Sequence, residues 1–402
     1  MMRRRVQAGL TLIELMIAIL ISMILSIAVM KVMSTFEGKR RTLGSSSDLD
    51  SAGNLAMFQL DHWIRSAGTG LVQGNGYTYG CRLFATTTTN SLGQLLPLAA
   101  ALPAPFANTA ENSTATTTYR LAPVIIVSGG TTPGVSGQAS DALVLMSSGN
   151  ENSEVPAPMT APPTAAALPL ANVTDFQPSD LLLIADQQET ATGPQDCMVS
   201  QADPGTVPNN PSTSLTLSGP YYAGTIGTRS VTDYTSSAVA IDLGGTSATG
   251  GSAPPSFQVV GVGDNNTLYS FDLLGVNSPA LQAQAEGVFE MHAVYGIDST
   301  GNANNVIDQW VDATSSSAYY ADKLTAGTGA AAQLLKNIRA VHVAIIMRTS
   351  LPERNPTGTP SKLTYFTNVP GMTAQTRTMS TAEQAYRYRV IETTIPVRNN
   401  QY

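Results

Sequence analysis

The sequence predicts an α+β fold, with one long N-terminal helix, hydrophobic and then amphipathic, ahead of a predominantly antiparallel β-sheet domain. Three observations predict it. Residues 10–30 run for 21 positions without Gly, Pro, Lys or Arg. Beyond them apolar and small residues recur at steps of three and four, at Leu49, Gly53, Ala56, Leu60, Trp63 and Ala67. The chain then closes with three β-rich stretches, 288–298, 339–348 and 385–398.

The first element divides in two. At about 1.5 Å rise per residue the 10–30 run spans roughly 30 Å, the thickness of a bilayer hydrocarbon core. One acid, Glu14, interrupts it near its start. A carboxylate at membrane depth costs about 2.5–3.5 kcal/mol on insertion scales, so its presence points to a partner cation. Residues 31–67 continue as an amphipathic helix, with Ala52 and Ile64 widening the apolar stripe. Gly38 and the Gly44-Ser45-Ser46-Ser47 stretch are expected to weaken helicity between the halves. Gly68 and Gly70 are expected to end the helix. Fewer than three clean heptads follow Ser47, which favours packing within the chain over a coiled coil.

Residues 68–402 form the predicted globular domain. Its first part, 71–285, is rich in loops such as Thr86-Thr87-Thr88-Thr89 and the Ala/Pro-rich 95–105 stretch. Short strands are predicted at 123–128, 142–147, 181–185, 215–217, 239–243, 257–262 and 268–274. Leu143-Val144-Leu145 and Leu181-Leu182-Leu183-Ile184 are continuously apolar, so both faces of those strands should be covered. The second part, 286–402, alternates. Phe289, Met291, Ala293 and Tyr295 are expected on one face of the first long strand. In the last, Tyr386, Tyr388, Val390 and Glu392 share one face and Arg387, Arg389 and Ile391 the other. The three long strands predict an antiparallel meander, with a short helix at 331–337 before the second.

The N-terminus resembles the class III signal of type IV pilins and pseudopilins. Arg3, Arg4 and Arg5 form a basic leader ahead of Gly9-Leu10-Thr11-Leu12-Ile13-Glu14. The resemblance implies a leader peptide at 1–9, cleavage between Gly9 and Leu10 by a prepilin peptidase, and N-methylation of Leu10. Leu10 stands where the family usually has Phe. Glu14 becomes the fifth mature residue, which in that family is proposed to meet the N-terminal amine of a neighbouring subunit. A secretory signal peptide has a shorter apolar core followed by a small-residue site, and none closes this run. Basic residues lie on both sides of it, so their count does not set topology. The resemblance implies a single pass through the bacterial inner membrane, with the large domain in the periplasm.

A second resemblance, to PilW-type minor pilins, rests on the C-terminal block. It is carried by Glu286-Gly287-Val288-Phe289-Glu290, Tyr295-Gly296-Ile297-Asp298, Asn337-Ile338-Arg339-Ala340-Val341, and Tyr386-Arg387-Tyr388-Arg389-Val390-Ile391-Glu392 with Arg398-Asn399. It implies a pilin-like fold whose amphipathic helix half packs on the sheet. The implied role is type IV pilus assembly: priming fibre polymerisation, with a place at the pilus tip as an extension of it. The implied partners are other minor pilins, the major pilin and prepilin peptidase. A J-like pseudopilin of type II secretion, a pilus-associated adhesin using 71–285 as its binding face, and a membrane-tethered hydrolase are the alternatives.

Composition narrows the chemistry. Charged residues make up 12% of the chain, about half the usual share. Between Arg82 and Lys336 the basic residues are Arg120, Arg229 and Lys323, and the net charge is −7. A broad phosphate-binding surface, and so a nucleic-acid partner, is not expected. No Gly-x-Ser-x-Gly elbow occurs, and no enzymatic activity or small-molecule substrate is expected. His62, His292 and His342 lack metal-ligand spacing and read as satisfied helix and strand residues. Cys81 and Cys197 belong to no metal motif, and in the implied periplasm they are expected to pair as a disulfide, with two buried thiols as the alternative. In the loop after the 288–298 stretch, oxygens of Asp298, Thr300, Asn302, Asn304 and Asp308 could converge on a calcium ion. Most of them are neutral, so affinity should be low. The alternative is a loop whose side chains bond its own backbone. No other cofactor is expected.

Overall fold

The computed structural model describes residues 11–71, 78–88, 93–99, 101–107, 109, 118–131, 140–149, 155–188, 190, 193–205, 213–246, 252–276, 280–300, 306–352 and 361–397. The leader, Gly9 and Leu10 lie outside them, as do Asn302 and Asn304.

One helix, Leu12–Ser66, runs for 55 residues, a length of about 82 Å. It passes through Gly38 and Gly44–Ser47 without a break, so the weakening expected there does not interrupt it. An isolated glycine costs only about 1 kcal/mol in a helix interior, and propagation from long helical flanks outweighs that cost. The helix ends at Ser66, and Gly68 follows in the left-handed region at φ +83°. The chain is tied down at once: the Gly68 N–H donates to the Met146 carbonyl (2.8 Å) and the Ser148 N–H to the Thr69 carbonyl (2.9 Å).

Three sheets of four or more strands follow among the described residues. The C-terminal sheet has the order Gln309–Val311, Val288–Ile297, Ile338–Arg348, Tyr388–Pro396, antiparallel throughout. It contains the expected meander, with the helix Gly329–Lys336 leading into the strand Ile338–Arg348. A second antiparallel sheet runs Gln282–Glu286, Thr267–Asp272, Ser256–Gly263, Ser140–Ser147, Val124–Thr131. A third runs Gln94–Leu96, Leu83–Thr86, Cys197–Gln201, Asp180–Asp186, Ala238–Gly245, Ala157–Pro158. Its parallel pair, Leu83–Thr86 beside Cys197–Gln201, is joined where the Cys81 and Cys197 sulfurs form a disulfide. The bridge closes a loop of 116 residues. Cys81→Ser should lower stability by about 2–4 kcal/mol, read as a drop in Tm that added reductant does not deepen.

The core explains the sequence patterns. Leu60 and Ile64 of the helix share one cluster with Val144, Leu183 and Val343, one from each sheet. The third sheet buries its other face as well: Leu182, Ile184, Met198 and Ala240 pack with Leu168, Phe176 and Leu217 in a second cluster. That double covering is why the 181–184 run has no polar alternation. A third cluster lies on the far face of the C-terminal sheet, under a hairpin of Lys362–Tyr365 and Gln375–Thr378.

One expected face differs. Met291, Ala293 and Tyr295 point into the main core, but Phe289 packs in the cluster under the hairpin. The register shifts there: Val288 opposes Met347 and Glu290 opposes Ile346, so Phe289 is an extra residue in the strand. A bulge breaks the two-residue alternation and re-aims one side chain.

A central strand of the third sheet begins with a buried acid. Asp180 is 1% exposed, and one of its carboxylate oxygens accepts from the Gln177 N–H at 2.6 Å. Burial pushes its pKa up to about 6 against the hydrogen bonds from Gln177 and Ser252. The folded state therefore holds this proton at pH values where the unfolded chain has lost it. The contribution is fully present below pH 4 and is lost as the pH rises through 6. Asp180→Asn should raise Tm at pH 7.5 and leave it unchanged near pH 4; an equal effect at both would show that charge is not the cause.

Candidate functional site

The N-terminal helix half is built to be covered by something outside the subunit. Leu12–Glu37 has a mean hydropathy of 2.7, and none of its most apolar stretch is buried against the domain. Its hydroxyls are satisfied internally: Ser22 Oγ donates to the Ile19 carbonyl (2.9 Å) and Ser26 Oγ to the Ser22 carbonyl (2.8 Å). Such back-bonding is how Ser is tolerated in an apolar environment. Glu14 is the exception. It lies in the first turn, where the helix dipole favours an anion, and Thr11 Oγ1 donates to its carboxylate at 3.4 Å. Among the described residues no cation lies within ion-pair distance of it.

The other half seats the helix on the sheets. Leu49, Ala56, Leu60, Ile64 and Ala67 are buried. Gly53 marks the closest approach: a Cβ there would stand 2.4 Å from Ile391 Cδ1 and 3.2 Å from Met347 Cγ. Asp50 pairs with Arg389 across this seam, and Asp61 with Arg65 along the helix.

Behind the seat, the far face of the C-terminal sheet carries a buried polar network. Arg377 Nε donates to Glu290 (2.7 Å) and its Nη2 to Glu383 (2.8 Å). All three residues are buried, Glu290 completely. Burial pulls the Arg377 pKa down, but its hydrogen bonds and charge interactions with Glu290 and Glu383 hold it above the ordinary value. The other Glu290 oxygen meets His292 Nε2 at 3.3 Å, and the imidazole stacks on Tyr365 at 4.7 Å. Its Nδ1 lies 3.8 Å from Asp141, whose pKa is raised by burial despite the His292 charge and the Gly129 and Ala293 N–H donors. His342 meets Glu392 (3.3 Å) and Thr394 Oγ1 (2.8 Å), and Glu392 also accepts from the Phe366 N–H at 2.9 Å.

The histidines at 292 and 342 are thus hydrogen-bonded strand residues, and His62 is exposed on the helix. Among the described residues no group of three or more His, Cys, Asp or Glu is placed to hold a metal ion. In the 298–308 loop, Asp298 Oδ1 accepts from the Thr300 N–H (3.1 Å) and Thr300 Oγ1 (2.6 Å). Asp308 Oδ1 accepts from the Ser299 N–H (2.9 Å). These two carboxylates bond the loop's own backbone and neighbouring hydroxyl. Arg377 and Glu383, which lock the hairpin to the sheet, lie in a stretch to which pattern reading assigned no element. Their signal is thin: an arginine in a polar hairpin, with its acids 87 positions before it and 6 after.

The chain thus places an unburied apolar helix, with one acid in its first turn, ahead of a second helix half seated on a largely antiparallel domain. The comparisons with known families are specific. Residues 4–30 match the prokaryotic N-terminal methylation motif, and residues 259–399 match the type IV pilus-assembly protein W family, PilW. The chain therefore carries a PilW domain behind a methylation motif, the pattern of a PilW-type type IV minor pilin. That is a pilus-assembly family rather than an enzyme family. No curated protein and no solved structure matches the chain.

Proposed function

We propose that this minor pilin primes fibre polymerisation from the inner membrane and takes a place at the pilus tip. Leader removal between Gly9 and Leu10 gives a methylated Leu10 amine. Glu14 of one subunit then docks on the amine of the next. The residues of the 12–37 segment leave the lipid for a fibre core of like helices, while the domain faces the periplasm. Prepilin peptidase, other minor pilins and the major pilin are the partners. The observation that carries this reading is Glu14. It is the one acid in the apolar run, and no described cation reaches it. A buried charge needs a counter-charge, and a newly released ammonium supplies one. The match to the PilW family over the C-terminal sheet favours pilus assembly over type II secretion.

Mass spectrometry of the purified mature protein tests the processing step. The expected N-terminal peptide begins with methylated Leu10. Recovery of a chain that keeps Arg3, Arg4 and Arg5 in cells with an active prepilin peptidase would overturn it.

A further inference from the structure

One end of the C-terminal sheet carries an open groove of about 580 Å³. Its walls are the edge strand Gln309–Val311, with the turn behind it, and the tip of the hairpin that covers the sheet. Trp310 is the one aromatic residue lining it. Its cross-strand partner is Gly296, and a Cβ at that position would stand 2.9 Å from indole atoms Cη2 and Cζ3. Only glycine lets the ring lie down on the strand. His342 meets the indole edge-on at 5.9 Å. The ring is therefore held in place, half-buried, with part of its surface on the groove.

The rims are polar. Asp312 and Ser317 stand on one side; Met372, Thr373 and Gln375 stand on the other. The first rim is already built. Asp312 Oδ1 accepts from the Thr314 N–H (3.2 Å) and Thr314 Oγ1 (2.6 Å). Lys323 Nζ donates to the Ser315 (3.1 Å) and Ser317 (2.7 Å) carbonyls, and the Tyr319 N–H donates to Ser317 Oγ at 3.1 Å. A turn fixed in this way binds without a large ordering cost.

The lining selects the ligand. No Lys or Arg lines the groove, so phosphate, sulfate and acidic sugars have no counter-charge there. Hydroxyls, a carboxylate and an amide on the rims disfavour a lipid chain. An aromatic surface flanked by such groups suits a molecule with an apolar ring face and a hydroxyl edge. The volume lies in the usual range for small-ligand sites, roughly 300–1,000 Å³. We propose that this groove binds a neutral saccharide, one ring lying against Trp310 and its hydroxyls bonding Asp312, Thr373 and Gln375. The site does not depend on the assembly role and lies outside the 71–285 segment.

The test uses the full-length protein in a zwitterionic detergent, because detergents with sugar headgroups would compete. A glycan array of neutral, N-acetylated and acidic oligosaccharides is screened, and the strongest neutral binder is titrated by isothermal calorimetry, since Trp310 itself is varied and the chain has two tryptophans. Saturable binding with Kd of about 0.1–5 mM is expected for an open groove. Trp310→Ala should weaken it by about tenfold or more. Thr373→Trp, on the exposed rim, should block it while leaving the thermal melt unchanged, and it carries the test if Trp310→Ala unfolds. Glu14→Ala should leave binding intact, which separates this site from the assembly reading. Absence of any neutral binder at about 20 mM, binding confined to acidic glycans, or full affinity in Thr373→Trp would each overturn the proposal.

Discussion

Glu14→Ala is expected to move two observables in opposite directions. Membrane retention of the subunit should stay the same or improve, because a carboxylate that costs about 2.5–3.5 kcal/mol at membrane depth is gone. Incorporation into fibres should collapse. Breaking a buried ion pair by removing one partner costs about 3–5 kcal/mol, since the other charge is left buried and alone. Here the stranded charge would be the Leu10 ammonium of the neighbouring subunit. On an assembly equilibrium that energy corresponds to a loss of more than about a hundredfold. The structure adds a reason to expect no folding defect: Glu14 is exposed and its bond to Thr11 is local, so nothing in the domain depends on it. Immunoblots of membranes and of sheared fibres, on the same cells, read both arms. Normal incorporation would remove the charge-pairing role outright. Reduced membrane levels would instead assign Glu14 to insertion or processing.

Much of this architecture was legible because its causes are local or periodic. The apolar run and the 3.6-residue stripe are one-dimensional signals, and Leu49, Ala56, Leu60 and Ile64 are buried as the stripe requires. The meander was legible because its strands are long and alternate. Continuous apolarity at 181–184 correctly implied cover on both faces, since Leu183 and Leu182 lie in different clusters. Phe289 was misplaced because a bulge is a property of two strands: nothing in one strand's alternation announces that its partner has one residue fewer. The weakening expected at Gly38 leaves no break in the helix for the reverse reason, a local cost outweighed by cooperative flanks.

The candidate site divides along the same line. Glu14 stands out because it violates its own surroundings. The hairpin over the C-terminal sheet did not, because its fixings are distant in sequence and polar. Glu290 is 87 positions from Arg377, Asp141 is 151 positions from His292, and Glu392 is 50 from His342. Within its own strand Glu290 looks like a solvated residue on an alternating edge. Only the folded chain shows it fully buried, with one oxygen on a guanidinium and the other on an imidazole.

Arg377→Met tests what holds that hairpin, and a large loss of stability is expected. Methionine replaces the apolar stem at similar volume, so the effect isolates the charge. The substitution leaves Glu290 and Glu383 buried with no guanidinium between them, the case that costs about 3–5 kcal/mol. It also removes the cation that sits 5.7 Å from the Phe289 ring centroid. Unfolding should begin in the hairpin, where Leu363, Tyr365 and Phe366 cover the sheet, so protease cleavage between residues 361 and 385 should precede loss of the helix signal. Adding Glu290→Gln to Arg377→Met should recover part of the deficit, because one stranded charge is gone and the amide can still meet His292. Equal stability of Arg377→Met and the parent chain would mean that apolar packing alone holds the hairpin. A double variant no better than the single would point to Glu383 as the dominant partner. The same hairpin carries one wall of the Trp310 groove, so Arg377→Met should also weaken saccharide binding without any change to a lining residue.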